Sequence, residues 1–194
     1  MIFFFLPLLY AQTPPDEKHI SVVIKETTQF RTLFLATSHP HIPLEAYLLS
    51  TKGEIITGVE PMSGHSSKIG WGMGVFDVDI ERFWAALNNG DQHAGYTPVN
   101  YTELVEGKPC TDKRKIFMTL PIPILPDRWW VTQTNINPAL QKSSQGRVRE
   151  MSWQNIKSPQ KLLSDALKER TMDKIQIPFS QGAWVLIDLG EGYT

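Results

Sequence analysis

The sequence predicts an α+β domain built on an antiparallel meander, and three observations point to it. Five short apolar segments follow one another between Asn100 and Leu189, each bounded by Gly, Pro, Asn or Lys-rich turns, which is the pattern of consecutive strands in one antiparallel sheet. Helical periodicity is confined to a few stretches outside and between those segments. The run LPIPILPDRWWV, Leu120 to Val131, carries Pro121, Pro123 and Pro126. Each proline removes a ladder donor and none fits a helix interior, so the run reads as an extended corner feeding a strand lined with aromatics.

From the N-terminus, MIFFFLPLLYAQTPP is an apolar run that stops at Ala11 before Gln12. It is shorter than the roughly 20 residues a spanning helix needs, so residues 1–11 are expected to be a signal peptide, and export without a disulfide points to a bacterial periplasm. Residues 12–59 read as a helix and hairpin region. Val23, Ile24, Thr27, Phe30, Leu33 and Phe34 fall at helical spacing after Ile20, with Lys25, Glu26 and Gln29 on the other side, and the His39-Pro40 step ends that helix. Leu44 to Ser50 and Glu54 to Val59, separated by Lys52-Gly53, suggest a hairpin.

Residues 60–194 read as the main domain. Ile69 to Val78 alternates Gly70, Gly72 and Gly74 with Trp71, Met73 and Val75, a strand whose bare side predicts close approach by a helix or ligand. Asp79 caps a helix with Ile80, Phe83, Trp84 and Leu87 on one stripe, and Asn88-Asn89-Gly90 supplies a left-handed stop. The strands Asn100 to Gly107, Arg114 to Leu120, Asp127 to Ile136, Gly146 to Asn155 and Gly182 to Leu189 follow. Ser158-Pro159 starts a short helix carrying Leu162, Leu163, Ala166 and Leu167 between the last two strands.

Composition narrows the function. With 194 residues, 41% of them hydrophobic, one domain with a real core is expected. A net charge of −1 with mixed signs gives no basic footprint for nucleic acid. Cys110 is the only cysteine, so no internal disulfide or thiolate metal site can form, and with no flanking His it reads as inert packing. GWGMG lacks the strand-to-helix context and the Lys-Ser/Thr of a phosphate loop, and neither an HExxH nor a GxSxG motif is present. His39, His41, His65 and His93 read as solvated loop residues, and nothing pairs Glu103, Glu106 or Asp188 for acid-base work. No cofactor and no metal are expected. The residues by themselves mark no catalytic centre; the family resemblance described next implies binding.

A glycine strand (Gly72 to Val78) leading into a helix with Trp84 on its buried side, then paired strands and the corner Pro121, Pro123, Pro126, Asp127, Arg128, is similar to the START-like branch of the helix-grip (SRPBCC, Bet v 1-like) superfamily. The resemblance covers about Gly70 to Thr194. It implies a curved antiparallel sheet wrapped around helices, a pocket for one lipid or other hydrophobic small molecule, and transient membrane contact by a monomer. The family's closing C-terminal helix has no counterpart before Thr194. The domain is therefore expected to be incomplete there, with the trough open, unless the helix from Ile20 to Leu35 takes over.

On the Asp127 strand, Trp130, Thr132 and Thr134 share a face, and the resemblance turns that face inward. Met118 and Leu120 from the neighbouring strand, with Met151, Trp153 and Trp84, complete the expected ligand wall, in which a few hydroxyls fix orientation. Arg128 either holds an anionic head group or braces the local backbone beside Asp127 and the prolines. Two rival readings are an enzyme of the same superfamily, such as a cyclase or hydrolase, and a protein-binding or chaperone module using the open groove.

Overall fold

The computed structural model describes residues 15–37, 40, 42–61, 68–95 and 97–194; the expected signal peptide, His39, His41 and His65 lie outside them. Helix α1 (Glu17–Phe34) starts earlier than its apolar spacing indicates, because the Asp16 carboxylate accepts the His19 N–H at 2.7 Å and caps the first turn. Ile20, Val23, Ile24 and Thr27 are its buried stripe, and the Thr27 hydroxyl is satisfied by donating to the Val23 carbonyl. α2 (Leu44–Ser50) is a helix where a strand is expected. The turn at Thr51–Gly53, with Gly53 at φ 80°, ends that helix instead of joining two strands. The hairpin lies one segment later, β1 (Ile56–Pro61) on β2 (Lys68–Met73), with Gly58 opposite Trp71.

The bare side of the glycine segment is filled unevenly: among the described residues no atom lies within 4 Å of where a Gly70 side chain would start, whereas a Cβ at Gly74 would meet Ile55 Cδ1 at 2.6 Å. Beyond β2, Phe76 exchanges two backbone hydrogen bonds with Thr194, at 2.8 and 3.1 Å. α3 (Ile80–Asn88) is capped as expected, with Asp79 accepting the Arg82 N–H at 2.8 Å. It does not stop in a left-handed turn. Asn89 has φ −84°, and the chain runs on into a 3-10 turn at Gly90–Gly95. Gly90 serves packing instead, since a Cβ there would lie 2.6 Å from Ile116 Cδ1.

The meander follows as β3 (Tyr101–Glu106), β4 (Lys113–Leu120), β5 (Arg128–Ile136), α4 (Pro138–Ser143), β6 (Val148–Asn155), α5 (Asp165–Thr171), β7 (Ile175–Gln176) and β8 (Gln181–Ile187). Its curved sheet has the order β3-β4-β5-β6-β8, all antiparallel, with β7 added parallel to the start of β5. The fold is thus the expected α+β class. The single late helix is two pieces, because the Ser158 side chain caps nothing while Ser164 accepts the Leu167 N–H. α4 was not foreseen, although Asn137 before Pro138 is a start signal, and Asn137 Oδ1 accepts the Leu140 N–H. Cys110 lies exposed in a turn at φ 59°, not in the core.

The two sheet faces differ in what covers them. On the packed face, Phe117, Trp129 and Val131 meet Leu163 and Leu167 from the α5 region, and full burial of a side chain such as Phe117 contributes about 1.5–3 kcal/mol. Toward the β6–β8 edge, Ile20, Val23 and Ile24 of α1 pack on Leu189 and Tyr193, with Ile187 alongside. Glu150, in register on the packed face, accepts the Ala36 and Thr37 N–H groups just past α1. α1 therefore lies opposite the Trp130 face and does not close it.

Candidate functional site

Strand register brings the expected site residues together on the other face. Met118 pairs with Trp130, Leu120 with Arg128, Thr134 with Trp153, and Ile136 with Met151. Side chains in register share a face, so Met118, Leu120, Trp130, Thr132, Thr134, Met151 and Trp153 form one continuous surface. Thr132, Thr134 and Met151 are buried in it; Met118, Leu120, Trp130 and Trp153 are half-buried.

α3 covers only one end of this face, held by two buried arginines that sequence reasoning passed over. Arg149 forms an ion pair with Glu81 and lies 5.8 Å from the centre of the Trp84 ring. The Arg149 hydrogen bond holds the Glu81 carboxyl below its ordinary range. Arg114 donates to Asn88 Oδ1 at 3.0 Å and reaches Met151 Sδ at 3.3 Å. Trp84 thus stands beside the Arg149 guanidinium, which the sequence did not indicate.

Beside α3, the β6–β8 side of the face carries the aromatic rim. Trp184, paired with Met151 and 46% exposed, sits 6.4 Å from Trp153 between ring centres. Trp153 in turn lies on Gly182, where a Cβ would come within 2.4 Å of its ring. The signal for both was in the sequence: a glycine inside a strand marks close approach by another group, and Gly182 precedes Trp184 on β8.

Arg128 does not point to a ligand head group here. It donates to the Pro126 carbonyl, while Asp127 is 3.6 Å from Lys174, so it braces the corner. The carboxylates weighed earlier are dispersed: Glu103 accepts from the Tyr101 hydroxyl at 2.5 Å, Glu106 pairs with Lys115 at 2.7 Å, and Asp188 accepts the Gly190 N–H. Among the described residues no cluster of His, Cys, Asp and Glu could hold a metal ion, and none of their helices is long and apolar enough to cross a membrane.

Two hollows flank the site without reaching the aromatic rim. One, about 30 Å³, lies between Asn88–Gly90 and Leu104, Arg114 and Ile116. The other, about 100 Å³, is lined by Glu106, Lys113, Arg114, Lys115 and Gln133. Both fall short of the roughly 300 Å³ at which small-ligand pockets begin. Among the described residues neither hollow is large enough to be the expected internal pocket, and the Trp130 face stands half-covered.

No family model and no curated protein matches this chain in sequence. Among solved structures it is similar to a STAR-related lipid transfer protein from Xanthomonas axonopodis, with a TM-score of 0.56, 15% identity, and 72% of this chain covering 71% of that one. The fold is START-like. A likeness at 15% identity concerns backbone architecture, and function has to be argued from the site. Within the START-like frame, the half-covered face beside α3 sets the exposed Trp184 and the half-buried Trp130 and Trp153 next to the buried hydroxyls of Thr132 and Thr134.

Proposed function

We propose that this protein binds a lipid or another hydrophobic small molecule along the trough, without transforming it, and hands it between membranes or sequesters it. The observation that carries the proposal is the single sheet face on which Met118, Leu120, Trp130, Trp153 and Trp184 stand partly open beside an α3-covered end. The lipid-transfer name of the structural neighbour supports the same reading.

Magnitudes set the binding mode. Full burial of an acyl chain of about sixteen carbons contributes roughly 13 kcal/mol, and micromolar binding needs about 8 after association costs of at least 4. A chain lying half-exposed in the trough gains only about half of that and falls short. Micromolar affinity therefore requires the Trp130, Trp153 and Trp184 rings to fold over the ligand, and their fluorescence reports it.

The test is native mass spectrometry of the purified chain after exposure to a mixed lipid extract, followed by denaturing extraction. A lipid-sized mass at one-to-one stoichiometry, with a shift in tryptophan emission, is expected. A chain that stays empty across the extract refutes the proposal.

A further inference from the structure

We infer that Thr132 and Asn155 form a subsite for an uncharged hydroxyl group on the bound molecule; the inference rests on the trough binding a lipid at all. The two residues are direct partners in the β5–β6 register. Thr132 is 3% exposed, yet its Oγ1 and the Asn155 Oδ1 have no hydrogen-bond partner among the described residues. Buried polar atoms are normally paired, so two orphans opposite each other on the ligand-facing side call for an explanation.

Their chemistry selects the partner. Asn155 Nδ2 donates to the Ile177 carbonyl at 3.1 Å, which fixes the amide orientation, because the reverse would set two carbonyl oxygens against each other. The orphaned Asn155 atom is therefore a pure acceptor, whereas the Thr132 hydroxyl can both donate and accept. An alcohol satisfies both at once, donating to Asn155 Oδ1 and accepting from Thr132. A carboxylate or phosphate brings only acceptors and is repelled by Asn155 Oδ1. A ketone or ester satisfies Thr132 alone. An ammonium could donate to both, but the charged groups sharing this face include the buried Arg114 and Arg149, which disfavour a second cation.

The location suits an anchoring point. Asn155 is the last β6 residue in the ladder, at the fork where the start of β5 turns to pair with β7. On the same face Thr132 is flanked by Trp130 and Thr134, with Ile116 across the strand. A hydroxyl held there leaves the rest of the molecule lying over Trp130 and Trp153.

The test compares three probes on the full chain by calorimetry and tryptophan fluorescence: 1-dodecanol, its methyl ether, and dodecanoate. The alcohol is expected to bind about tenfold tighter than the ether or the carboxylate, the range of one well-made hydrogen bond. Asn155→Leu should bring the alcohol within about twofold of the ether, because only the alcohol donates to Asn155 Oδ1, while Thr132→Val should weaken alcohol and ether alike by several-fold and Thr132→Ser should keep both affinities. A cooperative thermal transition followed by circular dichroism shows that each variant is folded. Equal binding of alcohol and ether by the unaltered chain, or a preference that survives Asn155→Leu, overturns the subsite and leaves the trough proposal standing. If none of the probes binds, the trough proposal is overturned and the subsite with it.

Discussion

Replacing Glu150 by glutamine should loosen the junction between α1 and the sheet, and the geometry says by how much. Glu150 is fully buried, at 0% exposure. Its Oε2 accepts Ala36 N at 2.8 Å and Asn137 Nδ2 at 2.6 Å; its Oε1 accepts Thr37 N at 3.2 Å and the Thr37 hydroxyl at 2.6 Å. Each carboxylate oxygen thus faces a backbone N–H. Whichever way a glutamine amide turns, its NH₂ confronts one of them and strands a part-buried donor, while the remaining bonds lose their charge assistance. A stranded donor costs about 1–3 kcal/mol and charge-assisted bonds are about twice as strong as neutral ones, so Glu150→Gln should destabilise by about 2–4 kcal/mol. For a chain of this size that lowers Tm by roughly 5–12 °C. The assay is thermal unfolding by circular dichroism, with hydrogen exchange read at Ala36 and Thr37, whose protection should fall. Glu26→Gln, which removes the exposed pair with Arg147 at 2.9 Å, is the control and should stay within about 0.5 kcal/mol. A Tm for Glu150→Gln within about 1 °C of the parent, or equal effects of the two substitutions, refutes the reasoning.

Gly182→Val should push the Trp153 ring off its seat, since even a Cβ comes within 2.4 Å of it; overpacking of about 1–3 kcal/mol in urea unfolding is expected, together with a red shift in tryptophan emission. Trp184→Ala removes a side chain that is 46% exposed, so urea unfolding should move by less than about 1.5 kcal/mol while affinity for a long-chain lipid falls several-fold; unchanged affinity would place the ligand elsewhere. Because the hydrogen bond from Arg149 depresses the Glu81 pKa in the folded state, the stability this pair supplies is present above the unfolded carboxylate value and is lost as pH falls through the lower folded one. Acid unfolding of Glu81→Gln should accordingly lack that component below about pH 4.5, and an unchanged acid limb would show that Glu81 does not titrate with folding.

The meander was legible because each strand carries its own turn residues, and α3 because Asp79 announces its start. The trough lining was legible for a similar reason: alternation along Arg128–Ile136 sorts Trp130, Thr132 and Thr134 from Trp129 and Val131 whatever the tertiary context. Alternation does not say which face the helices take, since both faces of β5 are apolar. The denser packing in fact lies under Phe117, Trp129 and Val131. LEAYLLS, Leu44–Ser50, is too short for its period to separate strand from helix. Its helical state comes with contacts made in the folded chain, such as Arg31 donating to the Tyr47 hydroxyl at 3.0 Å. Trp184, Gly182, Arg114 and Arg149 escaped notice because their role depends on which strands become neighbours.

α1 and α5 pack on one side of the sheet while the aromatic rim occupies the other, so on the proposed function the residues that keep the chain folded are separate from those that would meet a guest. On that proposal, substitutions at Met118, Leu120, Trp130 or Trp184 would change what the trough accepts with little loss of foldedness, whereas equal changes at Phe117, Val131 or Glu150 would be purged by instability. Such a division leaves the rim free to drift. Selection can retune ligand preference there by single steps, each tested against a scaffold that stays intact, and descendants sharing this backbone would diverge in cargo before they diverge in architecture.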